Sequence, residues 1–83
     1  MKVREKSKIF EAVQYNGRPL SQEITGIVDG VDSISFQGSF VVIRQRSKMI
    51  RVQLGEWIMR GTDGTLFIKS NSDFIRQYEK VIV

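Results

Sequence analysis

Apolar positions along the chain change period twice, and the changes divide it into strand, helix and strand again. Lys8 to Tyr15 (KIFEAVQY) is rich in β-branched and aromatic residues and runs into Asn16-Gly17, which predicts a strand closing at a turn. Phe10, Ala12 and Gln14 fall on one side and Ile9, Glu11, Val13 and Tyr15 on the other, as expected of a strand covered on one face and partly on the second. From Pro19 the period lengthens. Leu20, Ile24, Ile27 and Val28 recur at i, i+4, i+7 and i+8, the stripe of a short amphipathic helix with Ser21 near its cap and Gly30 beyond its end. Gly26 inside that helix costs roughly 1 kcal/mol relative to Ala, so packing against a sheet must hold it.

After the helix the period falls to two. Ser33 to Phe36 precedes a turn at Gln37-Gly38, Phe40 to Gln45 leads through Ser47-Lys48 into Met49 to Leu54, and Ile50, Val52 and Leu54 alternate there with Met49, Arg51 and Gln53. Gly55-Glu56 breaks the run, Trp57-Ile58-Met59 resumes it, and Gly61-Thr62-Asp63-Gly64 reads as a hairpin loop into Thr65 to Lys69. Ser70 to Asp73 are capping-type residues ahead of Phe74-Ile75, predicting one helical or 3₁₀ turn before Tyr78 to Val83 finishes as a strand. The expectation is an α+β chain: a bent antiparallel sheet or small open barrel of about six short strands with one amphipathic helix packed on it, and both termini in the sheet.

Length and composition narrow the chemistry. Eighty-three residues with no internal repeat or linker make a single domain, 1–83, and a chain this short buries only about 60% of its unfolded surface, so self-association is an economical way to enlarge its core. With no His and no Cys there is no imidazole base, no thiolate nucleophile, no disulfide and no zinc site of the usual kind. The nine acidic residues are scattered, and the pair Asp29 and Asp32 reads as a helix-exit turn, so neither catalysis nor a metal or other cofactor is expected. Gly61-x-x-Gly64 does not lead into a helix and carries no phosphate-loop fingerprint. The basic start from Met1 to Lys8 lacks the apolar stretch of a signal peptide, and no run approaches the roughly 20 apolar residues of a membrane span.

Charge is unevenly placed. Arg44, Arg46, Lys48, Arg51 and Arg60 stand against Glu56 alone, so residues 44–60 carry the whole net charge of +4. Such a field favours an anionic partner. Arg presents a planar fork to phosphate, and the aromatic faces of Trp57, Tyr15 or Phe40 suit the stacking of a base. The alternative is a solvated hairpin face, with Gly55 and Gly61 as turns and Trp57 or Ile58 in the core. Weak nucleic-acid binding is compatible with a pI of about 9.8 and the basic arm Lys2, Arg4, Lys6 and Lys8, but no DNA- or RNA-reading motif is present.

The order of segments resembles a group of small tailed-phage proteins of unassigned function. These begin with a basic stretch and an "EAxQW" strand and carry "PGD(W/Y)II(R/K)GxxGExYPxKPDIFxxTYE" near the C-terminus. Here the matching stretches are Lys6 to Tyr15, Leu54 to Gly64, and Ser72-Asp73-Phe74-Ile75 followed by Tyr78-Glu79. Tyr15 replaces the usual Trp, Leu54 replaces Pro, and Phe67 to Ser72 stands where the family has its Tyr-Pro-x-Lys-Pro segment. The resemblance implies a phage accessory factor acting in the cytoplasm of a bacterial host. By analogy it adds weight to anti-defence roles such as sequestering nucleotide immune signals or inhibiting a host protein.

The residues and the resemblance together lead to a non-catalytic, homo-oligomeric binding protein that sequesters an anionic, nucleotide-like small molecule. Arg44, Arg51, Arg60 and Lys69 are expected to neutralise phosphates, and Trp57 and Tyr15 to stack the base or line the pocket, with a second chain supplying some of them. The alternatives are an inhibitor covering a surface on a host protein and a non-specific nucleic-acid binder.

Overall fold

The computed structural model describes residues 1–5, 8–17, 22–37 and 39–80. Leu20 and Ser21 of the predicted helix, Gly38 of a predicted turn, Lys6 of the basic arm and Val81 to Val83 of the predicted last strand lie outside them. The described elements run β1 (Lys2–Glu5), β2 (Lys8–Gln14), α1 (Gln22–Ile27), β3 (Ser33–Gln37), β4 (Phe40–Gln45), β5 (Lys48–Gln53), β6 (Trp57–Arg60), β7 (Leu66–Lys69), α2 (Asn71–Gln77) and β8 (Glu79–Lys80).

The class is α+β and every strand pairing is antiparallel, but the expected single bent sheet is two sheets, and the expected single helix has a companion. One sheet has the order β7-β6-β2-β1-β8 and the other β3-β4-β5. The reason lies at β2. Its two edges are taken by β1 and by β6, with Glu11 opposite both Lys2 and Arg60. The excursion between β2 and β6 therefore has no edge to join there, and folds into a sheet of its own. Gly55, at φ +89°, makes the tight return into β6 that a side-chain-bearing residue rarely adopts.

Both faces of the five-stranded sheet are covered. On one face Tyr15, Ile58 and Leu66 pack with Ile24, Ile27 and Val28 of the α1 region and with Val41, Ile43 and Val52 of the second sheet. Leu20 apart, the i, i+4 stripe is thus the face that α1 buries, and Gly30 ends it at φ +86°. On the opposite face Val3, Ala12, Met59 and Phe74 form a second cluster with Phe10, Trp57, Phe67 and Tyr78 packed around it. Adjacent residues of β6, Ile58 and Met59, thereby serve separate cores.

The C-terminal segment forms a seven-residue helix rather than a single turn. Ser70 caps it by accepting from the Asp73 N–H at 3.2 Å, and Asp73 pairs with Arg76 three residues on. Phe74 carries it into the second cluster. No helix among the described residues is long and apolar enough to cross a membrane.

Candidate functional site

The six residues expected to make a binding site divide among four places. Tyr15, expected to stack a base or line the pocket, is 1% exposed and belongs to the larger core, where its ring is enclosed by apolar neighbours and offers no open face in the single chain. Trp57 is half-buried in the smaller core. Its indole stacks on Phe74 with centroids 3.8 Å apart and planes 7° apart, and Nε1 donates to Asn71 Oδ1 at 2.9 Å. One face of the indole is therefore taken by Phe74. Lys69 stands across the ladder from Trp57 at the edge strand β7, on a different sheet from Arg44 and Arg51.

Arg60 occupies the other face of that sheet, in a cross-strand row Lys2, Glu11, Arg60. The row lies in a cleft of about 390 Å³ that is also lined by Ile9, Phe10 and the Gly61 to Gly64 loop. It is the larger hollow, but it sets a carboxylate between its two cations. A phosphate entering it meets the Glu11 carboxylate directly across the ladder from Arg60, and like charges repel.

Arg44 and Arg51 do share a face. In the three-stranded sheet Val41, Ile43, Ile50 and Val52 face the core, which leaves Phe40, Val42 and Arg44 of β4 and Met49, Arg51 and Gln53 of β5 on the outer face beside Ser33, Ser35 and Gln37 of β3. Arg44 is opposite Met49 and Arg51 opposite Val42, so the two arginines are diagonal neighbours, roughly 7–8 Å apart for such a pair. None of the three strands contains an acidic residue, so among the described residues of the sheet none shares the face. Glu56, the one acid within residues 44–60, accepts from the Gln53 N–H at 2.6 Å in the turn that follows β5.

Phe40 is the aromatic group of this face. The Arg51 guanidinium carbon sits 4.0 Å from its ring centroid, a cation–π contact that holds the side chain across the sheet instead of into solvent. A shallow hollow of about 270 Å³ borders the pair, lined by Ser39, Phe40, Arg51, Gln53 and Leu54. The Arg44 carbonyl accepts from the Asp32 N–H at 2.9 Å, and its guanidinium has no hydrogen bond or ion pair among the described residues.

Arg46 and Lys48, counted with the basic cluster in the sequence, belong elsewhere. The two-residue turn between β4 and β5 places Arg46 at φ 51° and Ser47 at φ 68°. Arg46 then reaches the β6–β7 loop, donating to Thr65 Oγ1 at 3.0 Å and to the Asp63 carbonyl at 3.2 Å. Lys48 lies across from Gln45, on the inward side of the hairpin. Asp63 binds the N–H and hydroxyl of Thr65, each at 3.0 Å, and those hydrogen bonds hold its carboxyl below the usual carboxylate range. Arg46, Thr65 and Asp63 are thus engaged with one another.

Sequence reasoning placed Phe40 among the aromatic candidates but did not pair it with Arg51. The signal was the period of two itself, since Phe40, Val42 and Arg44 share a parity, as do Met49, Arg51 and Gln53. What the pattern lacked was the register between the strands. No family model, curated protein or solved structure matches this chain.

Proposed function

We propose that this chain is a non-catalytic binding protein that captures an anionic, nucleotide-like small molecule on the outer face of its three-stranded sheet. The observation that carries the reading is the pair Arg44 and Arg51 on one face free of acids, with Phe40 beside them. Two guanidinium forks offer charge-assisted hydrogen bonds to phosphate oxygens, and the ring offers a base an edge or, once Arg51 swings onto the phosphate, a face. The hollow is smaller than the roughly 300–1,000 Å³ of pockets that enclose a drug-sized ligand, so a nucleotide lies on this face instead of inside it. The mode of action is sequestration. Its setting, as the phage resemblance implies, is the cytoplasm of an infected bacterium, where the captured compound is a host nucleotide signal.

The test is thermal stabilisation against linear and cyclic nucleotides and ADP-ribose derivatives, followed by heat release and mass spectrometry of the bound compound. A ligand at 100 times its Kd raises stability by about 2.7 kcal/mol. Stabilisation that is lost in an Arg44→Ala, Arg51→Ala double variant, with the compound recovered intact, supports the reading. Recovery of a cleaved product shows an enzyme, and no stabilisation by any member of the panel removes the basis of the proposal.

A second reading has its own observation. Met49 is 70% exposed on the same face, and Leu54 is 60% exposed at the turn that borders it. Apolar side chains next to arginines suit the surface of a host protein, with these groups as its anchors. That reading predicts one dominant protein recovered from host lysate by the wild type, lost with Met49→Ser and Leu54→Ser, and no nucleotide affinity.

A further inference from the structure

The three-stranded sheet is protected on one side and open on the other. On the β5 side it packs beside β7, and Gln45 ties the hairpin to that strand by donating to the Gly64 carbonyl at 2.8 Å and accepting from the Leu66 N–H at 2.9 Å. At its other edge lies β3, which pairs with β4 alone among the described residues. In a chain that is 27% charged, Ser33-Ile34-Ser35-Phe36-Gln37 contains no charge, no proline and no glycine. Charged side chains and proline are among the devices by which natural edge strands avoid pairing with other chains, and β3 has neither.

We infer that β3 is a self-pairing edge, through which two copies of this chain join antiparallel about a two-fold axis at Ser35 to form one six-stranded sheet. The strand is self-complementary in that register. Ser35 lies opposite its own copy, Ser33 opposite Gln37, and on the inward side half-buried Ile34 lies opposite Phe36, which the single chain leaves 41% exposed. Backbone N–H and C=O groups that point away from β4 find partners, apolar area is covered, and no like charges are brought together across the new ladder even though each copy carries +4.

The joined sheet has a consequence that rests on the proposed function. Both outer faces become one surface, with the two β4 strands three strand spacings, or about 14 Å, apart. Four arginines then face the same way, a spacing suited to a dianionic or dinucleotide ligand held across the axis.

The chain contains no cysteine, which makes the register directly measurable. Residues directly opposite in an antiparallel ladder have Cα atoms about 4.5–5.5 Å apart, within disulfide range, whereas Ser33 and its copy are separated by four residues of strand. Under a mild oxidant Ser35→Cys should form a covalent dimer at least ten-fold faster than Ser33→Cys, and a mixture of Ser33→Cys with Gln37→Cys should cross-link into heterodimers. Sedimentation of the unmodified protein should show a dimer, and Ser35→Lys, which sets like charges face to face on the solvent side, should be monomeric with an unchanged circular dichroism spectrum. A monomeric wild type up to millimolar concentration, or equal cross-linking at positions 33 and 35, overturns the inference. A dimer that binds no nucleotide overturns the proposed ligand and leaves the self-pairing edge in place.

Discussion

The indole of Trp57 lies flat on the ring of Phe74, and its Nε1 donates to Asn71 Oδ1, so a single side chain of β6 holds both the first residue and the buried face of α2. Trp57→Ala therefore opens the smaller core and leaves Asn71 without its indole donor, and a cost of about 3 kcal/mol is expected. Trp57→Phe keeps most of the stack and loses the hydrogen bond, for about 1 kcal/mol. Urea unfolding followed by circular dichroism measures both. A loss below about 1 kcal/mol for Trp57→Ala would mean that the stack is dispensable and the ring is free to serve a ligand.

That contact also marks where the sequence stopped being informative. The period of two from Phe40 to Leu54, the turn at Gly55 and the hairpin loop from Gly61 to Gly64 are local signals, and the structure has a strand, a tight return and a hairpin where they predict them. The division into two sheets is not local. It follows from β6 returning to the free edge of β2, a pairing between residues more than forty positions apart that neither segment records by itself. For the same reason a run of cations from Arg44 to Arg60 looked like one patch, while the fold sends Arg60 to the other sheet, binds Arg46 to a loop and leaves Arg44 with Arg51. Tyr15 is enclosed in the larger core, and its position just before a turn does not by itself reveal that burial.

Gln45 behaves toward β7 as a short stretch of strand would, presenting one donor and one acceptor to Gly64 and Leu66. Gln45→Ala strands both backbone groups in a partly buried place and is expected to cost about 1–3 kcal/mol. Gln45→Glu keeps the acceptor for Leu66 but sets a carboxylate against the Gly64 carbonyl, and should cost at least as much. Equal melting temperatures for wild type and both variants would show that the two sheets are held together without this bridge.

The turn between β4 and β5 places two residues with side chains at positive φ, where Asn-Gly is the preferred pair. Arg46 is compensated by its bonds to Thr65 and Asp63, whereas the Ser47 side chain has no such bond among the described residues. Ser47→Gly relieves the steric cost of the left-handed conformation and is expected to raise stability by on the order of 1 kcal/mol. Ser47→Val should lower it. Thermal melts of the two variants should move in opposite directions from the wild type, and a shift of the same sign in both would contradict the turn geometry.

Asp63 gives the fold an acid limb. Its carboxyl is held below its ordinary value of 3.8 mainly by the Thr65 N–H, then by the Thr65 hydroxyl, with Arg46 also favouring the charged form. A depressed folded-state pKa contributes stability that is fully present above the unfolded value and is lost as pH falls through the folded one. As pH falls past the unfolded value of 3.8 and through the lower folded one, stability should therefore decline, and Asp63→Asn should flatten part of that decline while leaving the neutral-pH slope alone. Tyr78 acts at the opposite end. Burial first, and then Glu5, raise its pKa above 10.0, so its contribution is present below that value and fades as pH rises past it. A Tyr78→Phe variant should lose that alkaline dependence. Denaturant midpoints measured across the range check both limbs, and an acid slope identical in wild type and Asp63→Asn would show that the loop does not hold the carboxylate in solution.

The arginine pair makes the last prediction, because Arg51 has two duties and lysine can perform only one. Its planar guanidinium lies over Phe40, on the side of Val42 away from Arg44, and can swing back along the sheet toward Arg44, whereas an ammonium at the same place keeps the charge but neither stacks in the same way nor offers a bidentate fork. If a phosphate is bound between positions 44 and 51, Arg51→Lys should weaken nucleotide affinity about ten-fold, which is about 1.4 kcal/mol, and Arg44→Ala by ten-fold or more. Phe40→Leu should weaken nucleotides more than inorganic phosphate, since only a nucleotide has a base to lose its ring contact. Arg60→Ala, on the other sheet beside Glu11, should leave affinity within two-fold of the wild type. Isothermal titration at two salt concentrations decides the matter. Affinity lost with Arg60 and kept with Arg44 and Arg51 would move the site to the cleft that holds Lys2 and Glu11. A steep salt dependence that is the same for every nucleotide and for all four variants would mean that the +4 charge is acting as a diffuse field and not as a site.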